Sequence, residues 1–327
     1  MIFEFTTAPG FDFLTLFAKQ INVSVRDNFL EIPEAMGVGY MRKVGFGKDF
    51  KLTIHRYTLK EDFIIKRNPS PEALSLRTFF FYNNRESMEV KYENEDDLKF
   101  LPKNDASILL STNDLQTEIR FPAKREIQYV VVAIAAERLR TILSIDTPNA
   151  TIKTITEENA SFLFFESLDT EMQHLLKNIV SVDMSDSLNN FYLQIKIQEL
   201  MYLLFNKLLL RENSQFKSIN SSDVEKLMSI RNGILNNLST PPVLSELAAL
   251  ASMSETKLKQ LYKQTFGDTI YNYYQRARME KAAFLLKQAR HSVSEVGYEL
   301  GFTNLSHFSR LFAKYYGVTP KKYSYNK

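Results

Sequence analysis

The pattern of apolar and polar positions changes character twice along the chain. In the first half, apolar residues come in short runs rich in β-branched and aromatic side chains. These runs are Asn22–Ile32, Lys51–Tyr57, Leu74–Tyr82, Met88–Tyr92 and Ser107–Leu110. Several alternate with a period of two, which predicts strands with one buried face. Turn clusters such as Asn68–Pro71 and Asn83–Asn84 lie between them. Regular short strands with polar turns predict a barrel or a sandwich.

Further on the period becomes helical. Asp186–Asn213 contains no Gly or Pro and reads as one long helix, with Ser185 or Asp186 as its cap. Leu188, Phe191 and Ile195 form a narrow apolar stripe on it. After Ile197 the apolar band widens to most of the circumference, through Leu200, Met201, Leu203, Leu204, Phe205, Leu208, Leu209 and Leu210. Such a helix must be buried on several sides. Two covers fit equally: the core of its own domain, or a second subunit. The polar stretch 214–222, rich in Ser and Asn, has the composition of a linker.

After residue 223 the pattern is helical in short pieces, and it repeats. Ser245-Glu246-Leu247 recurs as Ser294-Glu295-Val296. Leu258, Leu261 and Tyr262 recur as Phe308, Leu311 and Phe312. Gly267-x-Thr269-x-x-x-Tyr273 recurs as Gly317-x-Thr319-x-x-x-Tyr323. Each copy reads as a short helix, a tight turn and a second helix. Gly301 stops the short helix of the second copy, and Thr303 or Asn304 caps the next. In the first copy Ser254 is the cap. Two helices joined by such a turn are a helix-turn-helix, whose second helix fits a DNA major groove.

Residues 223–327 resemble the DNA-binding domain of the AraC/XylS transcription regulators. The resemblance is carried by Val293–Tyr323, VSEVGYELGFTNLSHFSRLFAKYYGVTPKKY, and by Arg278-Met279-Glu280-Lys281-Ala282 with Leu285-Leu286. It covers about a third of the chain. Three positions depart from the family pattern: Gly297 stands for a usual Ala, Ile270 for a usual Pro, and Tyr274 for a usual Leu. The resemblance implies double-stranded DNA as partner, a homodimer, and an N-terminal sensing or oligomerising domain, often a cupin-like barrel. For an activator it also implies RNA polymerase. The stretch Glu31-Ile32-Pro33 with Met36-Gly37, Gly39-Tyr40 and Arg42 is similar to a pattern in siderophore-responsive members.

The expected architecture is therefore α+β. A β-rich regulatory domain spans 1–170, a helical dimerisation segment 171–213, a linker 214–222, and an all-α domain with two helix-turn-helix units 223–327. Removing the apolar positions from each second helix leaves an outward set. In the first copy it is Thr256, Lys257, Lys259, Gln260 and Lys263. In the second it is Leu305, Ser306, Ser309, Arg310 and Lys314. Arg pairs with guanine, Gln with adenine, Ser and Thr with several bases, and Leu with a thymine methyl. By resemblance, bases are read from Thr256, Lys259, Gln260, Leu305, Ser306, Ser309 and Arg310. Lys257 shares that face. Lys263, Lys314, Lys321 and Lys322 suit phosphate contact. For any one of these the plainer reading is a solvated polar residue. Thr269–Gln288, as a helix, is about 30 Å long, near the ~34 Å repeat of DNA, so two readers fit successive major grooves.

Charge supports this division. Residues 220–327 carry 15 Lys+Arg against 8 Asp+Glu, net +7, and the remainder 26 against 30, net −4. A basic half points to a polyanion, or to a solvated basic surface. At 327 residues the chain has room for two domains of about 100–200 residues and needs no staple. It has no Cys, which excludes disulfides, thiolate metal sites, cysteine nucleophiles and the cysteine-dependent repair alkyltransferases that carry a similar DNA-binding unit. Of four His, only His55 lies in the β-rich part, so a catalytic metal is not expected, and neither is a cofactor or an enzyme. His55 and Tyr57 share a strand face and are candidates to line an effector pocket, though a surface or core pair fits them as well. No secretory signal and no run of ~18 apolar residues is seen, so the expected place is the cytoplasm, with no membrane contact.

Overall fold

The computed structural model describes the chain apart from residues 8–10, 48, 71–73, 83–88, 92–106, 158–159, 183–186, 212–215, 288–290 and 326–327. The expected turn at Asn83–Asn84 and the cap at Ser185 or Asp186 fall outside the described residues. The fold is α+β, in two compact units: Met1–Glu225 with Gln264–Gly267, and Lys226–Lys263 with Asp268–Lys327.

The first unit holds two sheets. The larger has the order β11-β8-β6-β10-β4-β3-β2. Its strands are Leu163–Ser167 (β11), Ser107–Thr112 (β8), Leu76–Tyr82 (β6), Glu126–Ala135 (β10), Phe50–Leu59 (β4), Gly37–Gly45 (β3) and Phe29–Glu31 (β2). The smaller runs β1-β5-β9-β7, from Ile2–Thr6 (β1), Phe63–Asn68 (β5), Thr117–Phe121 (β9) and Glu89–Lys91 (β7). Among the described strands only β1 pairs in parallel, with β5. Aromatic rings join the sheets: Phe121 stacks on Tyr129 at 5.1 Å, and Phe63 meets Tyr57 at 6.2 Å.

The larger sheet is buried on both faces, not on one. Along β4, Leu52 and Ile54 point to a helical layer while Thr53 and His55 point between the sheets. In β6, Phe79 and Phe81 join the helical side and Phe80 faces the other sheet. A strand covered on both faces reads as a nearly continuous apolar run. The predicted strand Asn22–Ile32 shrinks to Phe29–Glu31, because Asp27 and Asn28 turn at φ 49° and 61°.

The helical layer comprises Ala136–Leu143 (α2), Ala150–Thr156 (α3), Thr170–Val180 (α4) and Asn189–Leu209 (α5), preceded in the chain by Phe13–Gln20 (α1). The wide apolar band of α5 covers its own unit. Leu193, Ile197, Leu200, Met201, Leu204, Phe205 and Leu208 are all buried in one core with Leu52, Phe79 and Val132. What α5 leaves exposed is the narrow stripe, Leu188 just before it, Phe191, Ile195 and, one heptad further, Tyr202, together with Leu209 and Leu210 at its C-terminal end, which the sequence places in the buried band but which lie beyond the core.

The second unit is all helical: Ser221–Asn236 (α6, whose first residues belong to the other unit), Leu244–Leu250 (α7), Glu255–Phe266 (α8, whose last residues belong to the other unit), Ile270–Lys287 (α9), Val293–Glu299 (α10), Leu305–Tyr316 (α11) and Pro320–Tyr325 (α12). Its axis is α9, about 27 Å long at ~1.5 Å per residue over 18 residues. Met279, Ala282, Ala283 and Leu286 pack with Val296, Phe302, Phe308 and Phe312. Arg278 is buried there. Its Nε donates to the Leu300 carbonyl at 3.1 Å, and its guanidinium lies 3.8 Å from the Phe302 ring centroid. Tyr274 fills the core, and its hydroxyl donates to the Leu238 carbonyl at 3.2 Å.

Candidate nucleic-acid interface and interior cavity

The second helix-turn-helix is built by strong local signals. At the start of α10, Ser292 Oγ accepts from Glu295 N at 3.2 Å, and Ser292 N donates to Glu295 Oε2 at 2.6 Å, a reciprocal cap. Gly301 ends the helix at φ 76°. A Cβ on it would stand 1.9 Å from the Ser239 carbonyl oxygen, so only glycine fits. Asn304, not Thr303, then caps α11: its Oδ1 accepts from His307 N at 3.1 Å. With Phe308 and Phe312 buried, Ser306, His307, Arg310 and Lys314 are exposed, and Leu305 and Ser309 are half-buried. Arg310 Nε leans back to the Ser306 carbonyl at 3.4 Å.

In the first unit of the repeat, Ser254 Oγ accepts from Lys257 N at 3.2 Å. Leu258, Leu261 and Tyr262 are buried. Thr256 and Lys259 are exposed, while Lys257, Gln260 and Lys263 are half-buried. Lys259 Nζ lies 3.8 Å from Glu255 Oε2 in an exposed i,i+4 pair, which binds too weakly to withhold the lysine from a phosphate or base. Lys321 and Lys322 are exposed on α12.

His307 was absent from the outward set read from the sequence. The signal was available: the 50-residue offset places it opposite Lys257, one position after Ser306 as Lys257 follows Thr256. Two residues of α9, one of them the departure Tyr274, are absorbed by packing. Arg278 and Tyr274 serve the core.

Between the two sheets lies a cavity of about 420 Å³. Phe5, Phe11, Phe13, Phe80 and Tyr129 supply aromatic walls, with His55 beside them. Thr78, Ser111, Asn113 and Arg67 form a polar end, while Lys51 Nζ donates to the Phe11 carbonyl at 3.4 Å. Arg67 Nη1 donates to Asn113 Oδ1 at 2.7 Å, and Thr78 Oγ1 donates to the same oxygen at 2.7 Å. Lys43 pairs with Asp12 at the rim. In the lining, Thr7 Oγ1, His55 Nδ1 and Asn113 Nδ2 are buried with no hydrogen-bond partner among the described residues. Each such orphan costs about 1–3 kcal/mol. His55 is neutral, because burial pulls its pKa down to about 3. Its Nε2 is 3.1 Å from Thr53 Oγ1, and its ring stacks on Tyr129 at 4.1 Å. Tyr57 behaves differently from His55. It is buried behind the cavity wall, its hydroxyl 3.0 Å from that of Tyr129, and burial pushes its phenol pKa well up.

Among the described residues no group of three His, Asp or Glu side chains is placed to hold a metal ion, and no helix is long and apolar enough to cross a membrane.

Residues 247–325 match a protein-family model described as a helix-turn-helix domain. The chain thus carries an AraC-type helix-turn-helix domain at its C-terminal end. The relatives it matches are regulators. It is 28% identical over 102 residues to the transcriptional activator RhaR of Mannheimia succiniciproducens, covering 31% of this chain and 37% of that one. It is 34% identical over 85 residues to the transcriptional regulator GbdR of Pseudomonas aeruginosa, covering 26% and 23%. The chain thus spans well under half the length of these relatives. The solved structure of ToxT from Vibrio cholerae aligns over 85% of this chain and 98% of its own, at 16% identity and a TM-score of 0.34.

Proposed function

We propose that the chain is a sequence-specific, DNA-binding transcription regulator and not an enzyme, acting in the cytoplasm where its DNA lies. The observation that carries the reading is the pair of helix-turn-helix units set at the two ends of α9, each presenting polar side chains outward. Thr256, Lys257, Lys259 and Gln260 on α8, and Ser306, Ser309 and Arg310 on α11, face the bases, and His307 joins them. Lys263, Lys314, Lys321 and Lys322 meet phosphates. The ~27 Å of α9 suits two readers in successive major grooves.

The cavity supports control by a small effector. Its volume lies within the usual ~300–1,000 Å³ of ligand sites, and its few polar groups are convergent. A compact, largely apolar molecule with a hydrogen-bonding edge would satisfy His55 Nδ1, Thr7 Oγ1 and Asn113 Nδ2. Tyr57 acts only through Tyr129. The exposed stripe Leu188, Phe191, Ile195 and Tyr202, at heptad-like spacing, supports a homodimer. If the protein activates, RNA polymerase is a further partner. The same stripe favours a second reading, a ligand-independent dimer whose N-terminal unit only oligomerises.

Selection of binding sites from random DNA with the full chain tests the first reading. A two-part motif with its parts about 10 base pairs apart is expected, and enrichment of no motif overturns it. Titration of small molecules that bind the protein, read as DNA affinity, separates the effector reading from the ligand-independent one.

A further inference from the structure

Gly297 lies inside α10, where glycine costs about 1 kcal/mol against alanine, so the position is expected to serve some purpose other than helix formation. The structure shows what its missing methyl leaves room for. A Cβ on residue 297 would stand 2.6 Å from Leu305 Cδ2 and 3.2 Å from Phe308 Cδ1. Carbon atoms settle at about 3.5–4.0 Å, so both contacts are too close. Phe308 is fully buried, with Phe302 5.2 Å and Phe312 6.0 Å away ring to ring, and has no space to retreat. Leu305 is half-buried at the first position of α11, and the close atom is the free end of its side chain. A methyl at 297 therefore displaces Leu305 away from α10.

The first copy of the repeat holds the complementary arrangement. The position matching Gly297 is Ala248, buried and carrying its methyl, and the position matching Leu305 is Glu255, exposed and turned toward Lys259. Glycine on the first helix and a retracted apolar residue on the second occur together in one copy and are both absent from the other.

We infer that Gly297 is a specificity-determining residue that acts without touching DNA: it lets Leu305 retract onto α10, so that Leu305 seats the start of α11 instead of reading a base. The inference rests on the proposed role of α11 as a groove reader. With glycine at 297, the base pair beside Leu305 is read weakly. With alanine there, Leu305 projects and gains a thymine methyl as partner.

The test is site selection from random DNA with the wild type, Gly297→Ala, Leu305→Ala and the double variant, with urea unfolding of each. Gly297→Ala is expected to add a thymine preference of about fourfold at one base pair, the worth of one buried methyl. The double variant is expected to lose that preference. Leu305→Ala alone is expected to keep the wild-type motif while unfolding at lower urea. If Gly297→Ala fails to fold and the double variant folds, Leu305 fills the space but cannot swing outward, and the inference falls. If neither folds, Phe308 is the obstacle and the inference falls. It also falls if Gly297→Ala selects the wild-type motif, or if Leu305→Ala alone relaxes a base pair. A wild type that selects no motif overturns the groove-reading role itself, an outcome distinct from all of these.

Discussion

The two helix-turn-helix units share a pattern but solve its turn differently. In the second, Gly301 takes the left-handed conformation at φ 76°, with the Ser239 carbonyl pressed against it. In the first, the matching residue is Ser252, held left-handed at φ 51° despite its side chain. The capping differs as well: a reciprocal Ser292–Glu295 cap opens α10, whereas Val243 precedes α7 with no side-chain cap. The second recognition helix also presents the more exposed face. Two copies of one motif have thus diverged, one toward tight local specification, the other toward a strained turn and a partly covered reader. The turn tolerates either residue only where the space around it allows.

The largest effect should come from exchanging the turns. Gly301→Ala drives a methyl into the Ser239 carbonyl and imposes a strained φ, so the helical unit should lose more than about 3 kcal/mol, seen as a large fall in its urea midpoint. A loss below about 1 kcal/mol would show that the turn yields. Next come the readers. Arg310→Ala should relax one base pair by about 1–3 kcal/mol, and Gln260→Ala should do the same roughly one helical turn away. An unchanged motif for Gln260→Ala would mean that only the second unit reads sequence. Lys321→Ala should weaken all sequences alike and lower the salt slope by about 0.9, measured by titration at several salt concentrations. The smallest effect is Ser252→Gly, which relieves the left-handed serine and should stabilise by up to about 1 kcal/mol, read from the same urea curves. The other unit offers its own contrast. Leu204→Glu should misfold the chain, whereas Phe191→Glu should leave it folded and, in sedimentation, monomeric.

These contrasts also explain what could be read from residues alone. The helical half was legible because caps, glycine stops and apolar spacing all agreed, down to Ser254 and Gly317. Lys51–Tyr57 and Leu74–Tyr82 were legible as strands from their β-branched and aromatic content. β3 was not, since Gly37, Gly39 and Gly45 interrupt its pattern. β10 was not, since Tyr129–Ile134 is apolar without alternation. The wide band of α5 left two covers open because burial looks the same in sequence whichever surface provides it. The cavity depended on eight strands of the two sheets meeting, and only His55 announced it. Leu305 looked outward by spacing, while the room beneath it was visible only once Gly297 stood next to it in space.

Arg278 fixes more than a turn. Bonded to the Leu300 carbonyl and flat against Phe302, it clamps the second unit to α9, and α9 is buried along its length. In the proposed reading the protein is therefore a ruler with no slide. One base pair inserted between the two half-motifs turns the second by about 34° around the duplex, a rotation that the Arg278 clamp resists. Promoters suited to this protein should keep that interval constant even where the bases within it vary.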